Sequence, residues 1–120
     1  MYTQRVVKHA LFDVHRGDYF QLPLFINVGD RFKPKQYVLR PNDKVYVSIA
    51  EPNQPWEASL IRQVYTWRDW DPKHNVMIKL EPEDTENVMP GKYFMEIKLL
   101  LGKTGRVYTI MPKRQFWVVE

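Results

Sequence analysis

The chain has no cysteine. Disulfides and thiolate metal sites are therefore excluded, and the hydrophobic core must hold the fold unaided. Glycine is scarce as well: Gly17, Gly29, Gly91, Gly102 and Gly105 are the whole set, and they form neither a phosphate-cradling loop nor a dinucleotide-binding fingerprint. Ser48 and Ser59 are the only serines, and neither sits in a G-x-S-x-G elbow, so nucleophilic catalysis has little to work with. No stretch approaches the ~18 apolar residues of a membrane span, and the opening MYTQRVVKHALFDV lacks the apolar block and small-residue cleavage site of a signal peptide. A helical period of apolar residues is nowhere sustained.

What is present is a globular composition of 44% hydrophobic, 14% aromatic and 27% charged residues over 120 positions, a length that suits one domain spanning 1–120. The formal charge of +4 permits an acidic partner. The eighteen Lys and Arg are scattered singly rather than gathered in a block, however, which makes nucleic acid an unlikely partner and a solvated surface the simpler reading.

Strand signals recur every ten to fifteen residues between Pro, Gly, Asn and Asp, the rhythm of a sandwich or barrel. The run from Arg5 to Val14 reads as a strand closed by Arg16-Gly17-Asp18. In YFQLPLFINV, the residues Phe20, Leu22, Leu24, Ile26 and Val28 fall on one face, with Gln21, Pro23 and Asn27 on the other; Pro23 cannot donate to a ladder, which predicts an edge position or a bulge. YVLR at 37 to 40 reads as a short strand. In KVYVSIAE, Val45, Val47 and Ile49 alternate with Tyr46, Ser48 and Ala50, and a proline-stiffened loop EPNQPWE follows. SLIRQVYTW and NVMIKLE read as two strands joined by RDWDPKHN, with Val76, Ile78 and Leu80 pointing one way.

The polar stretch PEDTENVMPG predicts a sheet-to-sheet crossover. Asp84-Thr85 starts one helical turn there, which tucks Val88 and Met89 under the core, and Pro90-Gly91 ends it. The next strand puts Tyr93, Met95, Ile97, Leu99 and Leu101 on one face, against a mixed face of Phe94, Glu96, Lys98 and Leu100. GKTG makes a hairpin into RVYTIM, and PKRQ breaks the chain before the last strand, FWVV. The expectation is an all-β protein of seven to eight strands, a Greek-key sandwich first and a small barrel second.

Candidate chemistry is sparse. Asp13 and His15 would share a strand face, which is half a metal or acid–base site at best. DWDPKHN brings together Asp69, Asp71, His74 and Asn75, but without the central glycine and closing glutamate of a calcium loop. Glu83, Asp84 and Glu86 read as solvated turn residues, and His9 stands alone. The densest feature is residues 56 to 74, where Trp56, Tyr65, Trp67 and Trp70 interleave with Arg62, Arg68 and Lys73. Such a mixture packs a core end, docks a protein, or stacks bases or sugars. Trp56, Arg62, Tyr65, Trp67, Arg68 and Trp70 form the expected interaction surface, with no catalytic, cofactor or metal residues.

KVYVSIAE, VMIKLE, PGKYFMEI and TIMPKRQFWVV together resemble the immunoglobulin-like domain at the N-terminus of the phage baseplate upper protein family, over about residues 17 to 120. The resemblance implies an immunoglobulin-like sandwich that scaffolds a phage or prophage tail, with no catalytic residue to transfer. Members of that family often continue into a stalk and a receptor-binding region, whereas this sequence stops at Glu120. The expectation is a tail or baseplate structural protein, not an enzyme and without a cofactor, which presents edge strands and an aromatic face. It would assemble with other tail proteins or with further copies of itself, in the host bacterial cytoplasm and then in the virion tail. A non-catalytic carbohydrate-binding module is the second reading, and a single-strand nucleic-acid binder the third.

Overall fold

A computed structural model describes residues 2–4, 12–29, 32–33, 35–71, 73 and 76–120. In chain order their strands are β1 (Tyr2–Gln4), β2 (Phe12–His15), β3 (Phe20–Leu24), β4 (Ile26–Val28), β5 (Lys35–Gln36), β6 (Lys44–Ala50), β7 (Ile61–Thr66), β8 (Val76–Leu80), β9 (Gly91–Leu100) and β10 (Val107–Val119), with one α-helical turn, α1 (Pro82–Thr85). The protein is all-β and sandwich-like. One layer is a five-stranded sheet in the order β2-β10-β9-β6-β7, antiparallel except for the parallel β2–β10 pair. Opposite it lie an antiparallel β3–β8 pair and a small sheet β1-β4-β5.

Alternation builds the core. Val45, Val47 and Ile49 on β6 and Tyr93, Met95, Ile97 and Leu99 on β9 are buried, as are Leu24, Ile26, Val76, Ile78 and Leu80 from the facing layer, and all belong to one cluster. Every second side chain leaves water, each full burial contributing about 1.5–3 kcal/mol. Phe20 joins the layers, its ring edge-on to Phe116 at 5.4 Å and to Phe12 at 6.4 Å.

Several expectations require correction. The described residues form ten strands in place of seven or eight, partly because YFQLPLFINV divides at Phe25, β3 pairing with β8 while β4 pairs with β1 and β5. Among the described pairings β3 has a neighbour on one side only, and that is where Pro23 sits. YVLR is not a strand. Tyr37 and Leu39 alternate inward as expected, but the stretch has no ladder beyond the Tyr37 amide donating to the Ile26 carbonyl at 2.8 Å. PKRQ does not break the chain: β10 runs through Pro112, and register shifts between Thr109 and Arg114 absorb its missing donor. Most of the opening run, residues 5–11, lies outside the described residues, and its last part forms β2.

The crossover does contain a helical turn, but it starts at Pro82, where the missing amide hydrogen costs nothing. The Glu81 amide donates to Asp84 Oδ2 at 2.7 Å and the Glu86 amide to the Pro82 carbonyl at 3.1 Å. Val88 packs on the core, whereas Met89 is 77% exposed, contrary to expectation. Thr85 is wholly buried, and its hydroxyl accepts the Gly17 amide at 3.0 Å, fastening the crossover to the turn after β2. The Tyr93 hydroxyl donates back to the Met89 carbonyl at 2.5 Å, closing the corner into β9.

A second polar anchor lies at the opposite end of β9. Asp43 is 3% exposed; its Oδ2 accepts the Tyr37 hydroxyl at 2.5 Å and the Arg40 amide at 2.9 Å, and its Oδ1 accepts the Gly102 amide at 2.9 Å. The β9–β10 hairpin thus rests against the turn before β6. It approaches so closely that a Cβ on Gly102 would stand 2.4 Å from the Asn42 carbonyl oxygen, which explains the glycine.

Candidate interaction surface

The alternation that fills the core sends Tyr46 and Ser48 on β6, and Phe94, Glu96 and Lys98 on β9, to the outer face of the five-stranded sheet. The loop after β6 folds over them. Its Glu51 amide donates to Gln54 Oε1 at 2.8 Å, Pro52 and Pro55 stiffen it, and a 3-10 turn over Trp56–Ala58 returns the chain to β7. This path sets the Trp56 ring edge-to-face with Tyr46, centroids 5.3 Å apart and planes at 87°. Between loop and sheet lies a groove of about 460 Å³, lined by Tyr46, Trp56, Phe94, Glu96, Lys98 and Lys113 among others. Lys98 Nζ lies 3.7 Å from Glu96 Oε1 across the groove's β9 side.

Apolar side chains stand among the charged ones over the rest of this face. Val64 on β7 pairs across from Tyr46 and is 48% exposed; Val107 is 55% and Trp117 40% exposed, and Val119 also reaches solvent. Trp117 stands opposite Lys92, whose ammonium lies 5.8 Å from the Phe94 ring centroid.

The six residues expected to act together do not share one platform. Trp56 belongs to the outer groove, and Arg62, paired across from Ser48, lies on the same face in solvent. Tyr65 turns the other way, toward the second layer: its hydroxyl accepts the Lys79 amide and donates to Gln63 Oε1. Burial pushes the Tyr65 phenol above the ordinary tyrosine range, the negative charge of Asp69 adds to this, and the Lys79 amide opposes it. Tyr65, Arg68 and Trp70 line a smaller polar recess of about 260 Å³ with Asp69, Asp71, Met77 and Lys79. Trp67 is exposed on a 3-10 turn, with the Arg68 guanidinium 5.9 Å from its centroid.

The acidic residues of that recess are engaged by backbone: Asp69 accepts the Thr66 amide at 2.8 Å and Asp71 the Lys73 amide at 2.8 Å. His74 and Asn75 lie outside the described residues, as does His9. Among the described residues no three His, Cys, Asp or Glu come together as a metal site would require. Asp13 and His15 do share the exposed face of β2, and the His15 ring lies 3.4 Å from the Glu120 carbonyl oxygen. Among the described residues no helix is long and apolar enough to cross a membrane.

Tyr46, Val64, Phe94 and Trp117 lie on this surface and are not among the six residues expected from the interleaved aromatics of 56 to 74. Their signal was an aromatic or aliphatic side chain at an outward position of an alternating strand, visible once the inward face is fixed. Searches of protein-family models and of curated proteins return no match to this chain.

Proposed function

We propose that this protein is a non-catalytic structural component of a phage or prophage tail, an immunoglobulin-like sandwich that docks neighbouring tail proteins against its five-stranded sheet. The observation that carries the docking role is the outer face itself. Val64, Tyr46, Phe94, Val107, Trp117 and Val119 put apolar surface in solvent on four adjacent elements, where an ordinary outer face would be polar. Tyr and Trp at such positions are what protein interfaces favour.

Two features support the immunoglobulin-like assignment. One is the parallel seating of β2 on β10 beside the antiparallel run β9-β6-β7. The other is the tyrosine corner formed by Tyr93 and the Met89 carbonyl where the chain crosses between layers. The tail assignment is supported by the resemblance of the strand-and-turn pattern over residues 17 to 120. In this reading the protein assembles in the host cytoplasm and remains in the virion tail.

Light scattering of the purified protein mixed with other tail proteins tests the proposal. A stable complex that is lost with Trp117→Ser, a variant expected to keep the parent's thermal stability, supports it; absence of association with every tail protein overturns it.

A further inference from the structure

The groove between β6, β9 and the 51–59 loop is built for a small molecule as well as for contact, and we infer that it binds one ring of a neutral saccharide. Its volume of about 460 Å³ falls within the ~300–1,000 Å³ range of small-ligand sites. Trp56 supplies the apolar wall on which the C–H face of a pyranose lies. Its edge-to-face contact with Tyr46 and the 3-10 turn beneath it hold the indole in place before any ligand arrives.

The polar lining then decides the class. Ser48, Gln54, Glu96 and Lys98 offer both donors and acceptors within one groove, as a ring of hydroxyls requires. The charges cancel: Glu51 and Glu96 are matched by Lys98 and Lys113, and the Glu96–Lys98 pair is already in contact at 3.7 Å. A phosphate or nucleic-acid site needs surplus positive charge, and a cation site surplus negative charge. Neither surplus exists here, so a polar, uncharged, partly flat ligand fits best. The recess formed by residues 65 to 71 is the poorer site, because Tyr65 is turned inward and Asp69 and Asp71 are held by backbone amides.

The test uses the isolated full chain, so that its outcome is independent of tail assembly. Glucose, galactose, N-acetylglucosamine and maltose, with galacturonate and glucosamine as charged controls, are titrated one by one into isotope-labelled protein, and amide and indole NMR shifts are followed. Saturable shifts at Ser48, Trp56, Phe94 and Glu96 with at least one sugar are expected, weakened about tenfold by Trp56→Ala and less by Trp56→Phe. Lys73→Ala, outside the groove, is expected to bind as the parent does, and the far-ultraviolet circular dichroism of each variant confirms its fold. If none of the four sugars produces saturable shifts, the inference fails. Binding of galacturonate or glucosamine alone overturns the neutral class, and shifts confined to residues 65 to 71 overturn the location.

Discussion

The backbone amide of Lys79 donates to the hydroxyl of Tyr65 at 3.0 Å. That hydroxyl donates onward to Gln63 Oε1 at 2.6 Å, and Gln63 Nε2 returns to the Lys79 carbonyl at 2.6 Å. Two side chains of β7, the last strand of one layer, thus take up both main-chain groups of a residue on β8, in the other. An exposed strand edge invites pairing with another chain. Here Lys79 is already occupied, so the expected display of edge strands does not extend to this part of β8.

Tyr65→Phe removes the middle of this circuit while keeping the ring. A loss of about 1 kcal/mol is expected, as for one net hydrogen bond with partners left unpaired. It should appear as a lower urea midpoint at unchanged slope, with faster hydrogen exchange at the Lys79 amide. An unchanged midpoint would show that water replaces the hydroxyl at no cost.

Alkaline pH probes the same residue. Burial holds both Tyr65 and Tyr93 above the ordinary phenol range. The folded state therefore keeps their protons more tightly than the unfolded chain, so their contribution is fully present below pH ~10 and is lost as pH rises through the folded values. Stability should fall above pH ~10, less steeply in Tyr93→Phe, and ultraviolet titration should show a late-titrating phenol that is lost in Tyr65→Phe and another that is lost in Tyr93→Phe. Seven phenols titrating together in the ordinary range would contradict this.

Asp43 holds three donors from two chain segments in a buried site. Asp43→Ala leaves the Tyr37 hydroxyl and two amides unsatisfied, and a destabilisation of about 2–4 kcal/mol is expected by chemical denaturation. Gly102→Ala should cost at least about 1 kcal/mol because the methyl meets backbone at Asn42 rather than a yielding side chain. If both variants melt with the parent, the anchor between the 40–43 turn and the hairpin is not energetically significant.

Deleting residues 115–120 removes the end of β10 that pairs with β9 on one side and β2 on the other, together with the fully buried Phe116. Cooperative thermal unfolding should disappear. A truncated chain with the parent's melting temperature would refute the strand pairing.

The layers were legible where one physical signal ruled. Strict alternation placed Val45 to Ile49, Val76 to Leu80 and Tyr93 to Leu101 correctly, because burying one face fixes a strand's register. Two other readings failed for local reasons. Pro112 looked like a terminator, yet an irregular ladder tolerates a missing donor, and YVLR alternates like a strand but is not one, which no local pattern reveals. The candidate surface was legible only in part. Clustering aromatics by position along the chain joined Trp56 to Trp70, whereas the fold sends Trp56 to one side of the sheet and Tyr65 to the other. The groove joins Trp56 to Tyr46 and Phe94, residues ten and thirty-eight positions away, a proximity that only the β6–β9 pairing creates.

β10 lies between β2 and β9, yet it follows every other strand in the chain. During synthesis, the segment that becomes β2 leaves the ribosome early and has no seat until the final strand is released, and β9 meanwhile shows a bare flank. The sandwich can close only after translation has passed β10, so a nascent chain of this protein waits in a sticky, half-zipped state, and slowing or stalling late in the message should favour aggregation over folding.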